Sequence, residues 1–231
     1  MSLGGQHTLT AFDEDMNHLR GLISEMGGRA EAAINSAMTV LVTHDLEGAK
    51  LIVAGDKEID RLEIEVEKLA VQIIALRAPM ADDLREVVAA LKIASVVERI
   101  GDYAKNIAKR VPSLEAGNKY ESISVLQSMG EIASEMVHDV LNAFAARDAD
   151  AAILVNERDK AVDDFYNSIF RMLVTFMMEN PQSIGAGAHL LFIAKNLERI
   201  GDHATNVAEM VYFAATGEIM PERERGETVK A

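Results

Sequence analysis

The sequence predicts an all-α fold of two tandem antiparallel three-helix bundles, six long helices in all, and three observations predict it. The word Glu98-Arg99-Ile100-Gly101-Asp102-Tyr103-Ala104-Lys105-Asn106 returns one hundred residues later as Glu198-Arg199-Ile200-Gly201-Asp202-His203-Ala204-Thr205-Asn206, which marks an internal duplication. Apolar residues recur at spacings of three and four, as in Leu19, Leu22, Ile23, Met26, Ala30, Ala33, Ile34 and Ala37, and strand-like alternation is nowhere sustained. The four prolines, Pro79, Pro112, Pro181 and Pro221, each lie near a short polar or Gly-containing break and leave the stretches between them uninterrupted.

The elements follow in order. Helix 1 is expected over residues 9–43, helix 2 over 46–77 and helix 3 over 81–110, with Asp45 and Asp82 placed as N-caps or first-turn acids. A loop over 111–119 separates the halves. Helices 4, 5 and 6 are then expected over 122–146, 149–179 and 184–216, and the charged tail after Pro221 is expected to fray. Helices of about 30 residues are long for a globular domain, and antiparallel bundles are the architecture that accommodates them. A shift of 103 aligns Met26-Gly27 with Met129-Gly130, His44-Asp45 with Arg147-Asp148 and Asp56-Lys57 with Asp159-Lys160. The domains are therefore expected over residues 1–114 and 115–231.

Composition bounds the chemistry. The chain has 231 residues, 49% of them hydrophobic but only 5% aromatic, with no tryptophan, which is the composition of a helix bundle. Met136, Met172, Met177 and Met178 are expected as core filler. No cysteine is present, so a metal here must take oxygen or imidazole ligands. The net charge of −14 opposes binding to nucleic acid or bare anionic lipid. The N-terminal stretch has neither a basic start nor an apolar run, so no secretory signal is expected, and no apolar run is long enough to insert in a membrane.

The duplicated word carries carboxylates at a helical spacing. Each helical residue turns about 100°, so Leu84, Leu91, Glu98 and Asp102 share a sector of roughly 40°, and Ile184, Leu191, Glu198 and Asp202 repeat the row, followed by Asn206 and Glu209. Like charges four residues apart repel, so a compensating partner is expected. Helix 2 offers Asp56, Asp60, Glu63 and Glu67 on one stripe; at the duplicated positions helix 5 has Asp159, Asp163, Tyr166 and Phe170. Only the Asp-x-x-x-Asp pair is common to both. The expected metal ligands are thus Asp56, Asp60, Glu98 and Asp102 in one half, and Asp159, Asp163, Glu198, Asp202 and Glu209 in the other. All-oxygen ligation suits divalent or trivalent ions: magnesium, calcium, manganese or iron, with zinc also compatible. Lys109 stands where the second half has Glu209, so the two sites need not be equal.

Gly101 and Gly201 fall mid-helix, where glycine costs about 1 kcal/mol relative to alanine, and imply a close approach. Arg99 and Arg199 are expected in ordinary ion pairs. No catalytic or organic-cofactor residues are assigned, because a Gly-rich phosphate loop and a serine nucleophile word are both lacking. A ferritin-like site needs two Glu-x-x-His helices, and only Glu135-Met136-Val137-His138 is present. The alternatives are a carboxylate metalloenzyme on a bundle, or a structural helical adaptor without metal.

The two Glu-Arg-Ile-Gly-Asp words, their Asp56/Asp60 and Asp159/Asp163 partners, Ile59-Asp60-Arg61-Leu62-Glu63, and Ala81-Asp82-Asp83-Leu84-Arg85 together resemble the PhoU family over nearly the whole chain. The resemblance implies multinuclear metal clusters on tandem bundles in a cytoplasmic, commonly homodimeric protein. It also implies a regulatory role, acting with a Pst-type phosphate ABC transporter and a membrane histidine kinase to restrain phosphate-starvation genes and phosphate uptake.

Overall fold

A computed structural model describes residues 3–115 and 122–221, and among these the chain is helical with no strand. The first half contains α1 (Leu3–Thr43), α2 (Leu46–Gly55), α3 (Lys57–Arg77) and α4 (Asp82–Ala108); the second contains α5 (Ser122–Ala146), α6 (Ala149–Glu179) and α7 (Ile184–Thr216). Short 3-10 turns, Val111–Ser113 and Pro181–Ser183, follow α4 and precede α7. The tail beyond Pro221 and residues 116–121 of the inter-half loop lie outside the described residues.

Two helix starts follow the same local chemistry. His44 and Arg147, at duplicated positions, both take positive φ, 54° and 53°. The aspartate that follows each one caps the next helix. Asp45 accepts from the N–H groups of Glu47 and Gly48, and Asp148 accepts from that of Ala151. Asp82 behaves differently: Ala81 holds the cap position without a side-chain bond, and Asp82 is a first-turn acid facing the helix dipole.

The helix expected over 46–77 is interrupted in its hydrogen bonding at the single residue Asp56, which separates α2 from α3 while keeping right-handed helical backbone angles (φ −54°, ψ −34°), whereas α6 runs unbroken through the equivalent Asp159. The physical reason is local: Gly55 precedes Asp56, where the second half has the better helix former Arg158. The helix expected from residue 9 begins earlier, at Leu3.

Helices α1, α3 and α4 pack together in the first half, as do α5, α6 and α7 in the second. The halves meet through α1 on α5 and α4 on α7, so the apolar faces merge into one core. Ile23, Met26, Ile34, Val66, Ile93, Val97 and Ile100 fill it from one half, and Leu126, Met129, Val137, Ile193, Leu197 and Ile200 from the other, all fully buried.

The contact between halves is reciprocal. A methyl group at Gly27 would stand 2.2 Å from Leu141 Cδ1, and one at Gly130 would stand 2.7 Å from Met38 Cγ. These are the same two duplicated positions exchanged, so each α1-type helix offers a glycine notch to the other's side chain. Of the methionines expected as filler, Met136 is in the core and Met177 is half-buried over Gly187, but Met172 and Met178 are exposed.

A buried charge also ties the halves. Glu86 of α4, 3% exposed, receives Arg20 Nε of α1 at 2.5 Å and Arg20 Nη2 at 3.1 Å, and it also pairs with Arg147 from the α5–α6 turn. None of the described helices is long and apolar enough to cross a membrane.

Candidate metal centres

Helix α3 lies against α4, and α6 against α7, so each half sets an Asp-x-x-x-Asp pair beside a Glu-x-x-x-Asp pair. The glycine within each motif permits the approach. A methyl at Gly101 would stand 2.7 Å from Ile59 Cδ1 and 3.7 Å from Asp56 Oδ1; one at Gly201 would stand 3.2 Å from both Asp159 Oδ1 and Val162 Cγ1. At Gly201 the tight approach includes the opposing acid itself, whereas at Gly101 it is made by Ile59, with Asp56 at ordinary contact distance.

In the first half Asp56 is 8% exposed, while Asp60, Glu98 and Asp102 are half-buried. Burial first, then the fields of Asp102, Glu63, Asp60 and Asp56, push the Glu98 carboxyl up to about 7. The Asp60 carboxyl is raised by burial and then by Asp56. The four expected acids therefore share one electrostatic environment. Asp56 stands at the junction of α2 and α3 with right-handed helical backbone angles and makes no side-chain cap bond.

The second half repeats the arrangement. Asp159 is 7% exposed, Glu198 and Asp202 are half-buried and Asp163 is exposed. Burial, followed by Glu198 and Asp159, pushes the Asp202 carboxyl up to about 6, with Lys195 opposing and Asp163 adding to the rise. Glu209 lies exposed, further along α7. Lys109, its counterpart, is equally exposed.

Two lysines enter these clusters. Lys105 Nζ lies 2.5 Å from Asp56 Oδ2 and also bonds Asp102 Oδ1, bridging the α3 and α4 acids. Burial alone would lower its ammonium, but hydrogen bonds to Asp102 and Asp56 outweigh that and hold it above its ordinary value. Lys195 Nζ lies 2.5 Å from Glu198 Oε1 on its own helix and 5.2 Å from the centre of the Tyr166 ring. Neither lysine is legible from the repeat, because Lys105 faces Thr205 and Lys195 faces Ser95 at the duplicated positions. Glu63, which faces Tyr166, also contributes to the Glu98 environment.

Among the described residues no group of three or more His, Asp or Glu side chains stands close enough together to hold a metal ion. The donor set nevertheless fits a hard cation: every ligand offered is a carboxylate oxygen, and Glu198 Oε2 is buried with no hydrogen-bond partner. Positive charge placed there would relieve the repulsion that lifts Glu98 and Asp202.

Between the centres, α4 and α7 cross with the duplicated residues Tyr103 and His203 in edge contact, ring centroids 5.1 Å apart. His203 Nδ1–H donates to the Arg199 carbonyl at 2.8 Å, and burial lowers its pKa, with Arg99 and Arg199 acting in the same direction. Arg199 lies over the Tyr103 ring at 5.8 Å. The Glu135 and His138 pair is engaged elsewhere, Glu135 with Arg158 at 2.5 Å and His138 with Glu31 at 3.0 Å.

Duplicated three-helix bundles with a carboxylate cluster on each half define a class of tandem helical-bundle proteins. The PhoU domain matches this chain twice, over residues 23–111 and 126–211, once for each repeat. The chain belongs to the PhoU family. It is 58% identical over 225 residues to the phosphate-specific transport system accessory protein PhoU homolog of Zymomonas mobilis, covering 97% of this chain and 95% of that one. The Escherichia coli phosphate-specific transport system accessory protein PhoU is 34% identical over 213 residues, covering 92% and 88%. Among solved structures, PhoU from Pseudomonas aeruginosa superposes with a TM-score of 0.86 at 36% identity, covering 90% of this chain and all of that one. The phosphate transport system regulatory protein PhoU from Streptococcus pneumoniae gives a TM-score of 0.85 at 29% identity, covering 91% of this chain and all of that one.

Proposed function

We propose that this chain is a regulatory accessory protein of a phosphate-specific transport system, that it holds metal ions on its two carboxylate clusters, and that it restrains phosphate-starvation signalling and phosphate uptake. The observation that carries the regulatory reading is its similarity, over nearly the whole chain, to relatives named as accessory proteins of such systems. Its partners in this reading are a Pst-type ABC transporter and a membrane histidine kinase, met by a cytoplasmic homodimer. The metal reading is supported by the mutual electrostatic influence of the acids in each half, one of which in each, Glu98 and Asp202, is held well above the usual carboxylate range.

Two measurements test it. Deletion of the gene should switch on a phosphate-starvation reporter in phosphate-rich medium; a reporter that stays silent there sinks the regulatory role. Replacing Asp102 and Asp202 with alanine should lower the metal content of the purified protein while leaving helicity intact. Loss of helical structure without prior metal loss would make the acids structural instead.

A further inference from the structure

The acids and the bases of the repeated word part company around the helix. Asp102 and Asp202 act on the acids of α3 and α6, while Arg99 and Arg199, three residues earlier in each word, stand where α4 crosses α7. Both arginines were expected in ordinary ion pairs, and among the described residues neither forms one. Asp102, within one turn of Arg99, bonds Lys105 instead, and Arg99 acts on Glu63 only through space. Elsewhere arginines do pair: Arg20, Arg61, Arg77, Arg147 and Arg158 each bond a carboxylate.

What surrounds the two guanidinium groups is rings and hydrogen-bond donors. Arg199 Cζ stands 5.8 Å from the centre of the Tyr103 ring, and Tyr103 meets His203 with ring centroids 5.1 Å apart. After burial, Arg99 and Arg199 both lower the His203 pKa, so both lie beside the same imidazole. His203 Nδ1 is engaged by the Arg199 carbonyl at 2.8 Å, which leaves Nε2 for another partner. Further along the crossing Arg110 Nη1 lies 3.4 Å from His189 Nδ1, with its guanidinium 4.5 Å over the Phe192 ring. In a chain of net charge −14, a surface of unpaired arginines and histidines is an exception.

We propose that the α4–α7 crossing binds a small multivalent oxyanion of the phosphate class, with Arg99 and Arg199 as its paired cations and Tyr103 and His203 as the donors beside them. A guanidinium resting on an aromatic face keeps its N–H edge free, and that fork matches two oxygens of a tetrahedral oxyanion. The bound charge offsets the repulsion between two arginines held at one imidazole. The site needs no metal, and it deepens the regulatory reading by giving the chain an anionic ligand of its own.

The test uses the full chain stripped of metal with a chelator, so that no anion is held through a bound cation. Inorganic phosphate is titrated in at fixed ionic strength, with the heat of binding and the His203 ring-proton resonance, assigned by its loss in His203→Gln, followed together. Wild type is expected to bind phosphate, with sulfate competing and chloride not, and the His203 pKa should rise on binding because the anion opposes both arginines. Arg99→Gln and Arg199→Gln should each weaken binding by roughly tenfold, the effect of losing a hydrogen bond to a charged group. Arg199→Lys, which keeps the charge and loses the fork, should weaken it less than Arg199→Gln. Arg171→Gln, exposed on α6, should leave it unchanged.

Absence of heat and of any His203 shift with phosphate would overturn the proposal, as would binding that both glutamine variants retain in full or that chloride displaces as well as sulfate does. The regulatory reading is judged apart from this by the gene-deletion reporter. A silent reporter beside a measured phosphate site sinks that reading alone, and a responsive reporter beside a protein that binds no phosphate sinks this proposal alone.

Discussion

Glu98 and Asp202 concentrate the cost of burying carboxylates beside like charges. In the unfolded chain each titrates near its ordinary value, 4.5 for Glu98 and 3.8 for Asp202, but in the folded chain the values rise to about 7 and about 6. Between those limits the folded chain holds more protons than the unfolded one, so stability falls as pH rises. The metal-stripped protein should therefore melt at a lower temperature at about pH 8 than at about pH 5.5, and Glu98→Gln together with Asp202→Asn should flatten that slope. A slope unchanged in the double variant would mean that other groups set it. These acids were legible in the sequence because duplication singled them out of a chain with 37 acidic residues. Lys105 lies inside the same repeated word but was hidden, since the comparison that selected Asp102 and Asp202 discards any position where lysine faces threonine. Which side of the helix meets the opposing acid is also a tertiary fact.

At the scale of elements, the helix boundaries were readable wherever local chemistry sets them. Asp45 and Asp148 follow residues in the left-handed conformation and close the first turns of α2 and α6. Asp45→Ala and Asp148→Ala should each cost about 1 kcal/mol in denaturant unfolding, the usual worth of a side-chain N-cap, with little change in metal affinity. A cost near zero would show that tertiary packing alone holds these starts. The interruption at Asp56 is not legible because a single glycine inside a periodic apolar pattern is tolerated in most helices, and it is slight, since Asp56 keeps right-handed helical angles and caps nothing with its side chain.

For the whole molecule, the expectation of two like halves was available from the repeat, but the way they join was not. Their contact uses a buried glutamate between two arginines that come from different halves. Arg147 is partly exposed, so Arg147→Ala should lower stability by only about 1 kcal/mol, because Arg20 still neutralises Glu86. Removing both arginines leaves a buried, uncompensated carboxylate and should cost about 3–5 kcal/mol, more than the two single changes together. Additive losses in a double-mutant cycle would show that Glu86 reaches water once the pairs are broken.

The glycine notches of α1 and α5 have a consequence for the repeat unit taken alone. Leu141 enters the notch at Gly27 and Met38 enters the notch at Gly130, so the same surface appears on both sides of the contact with its roles exchanged. That is the self-complementary geometry of a two-fold symmetric dimer. A chain carrying a single copy of the repeat would hold both halves of this lock already.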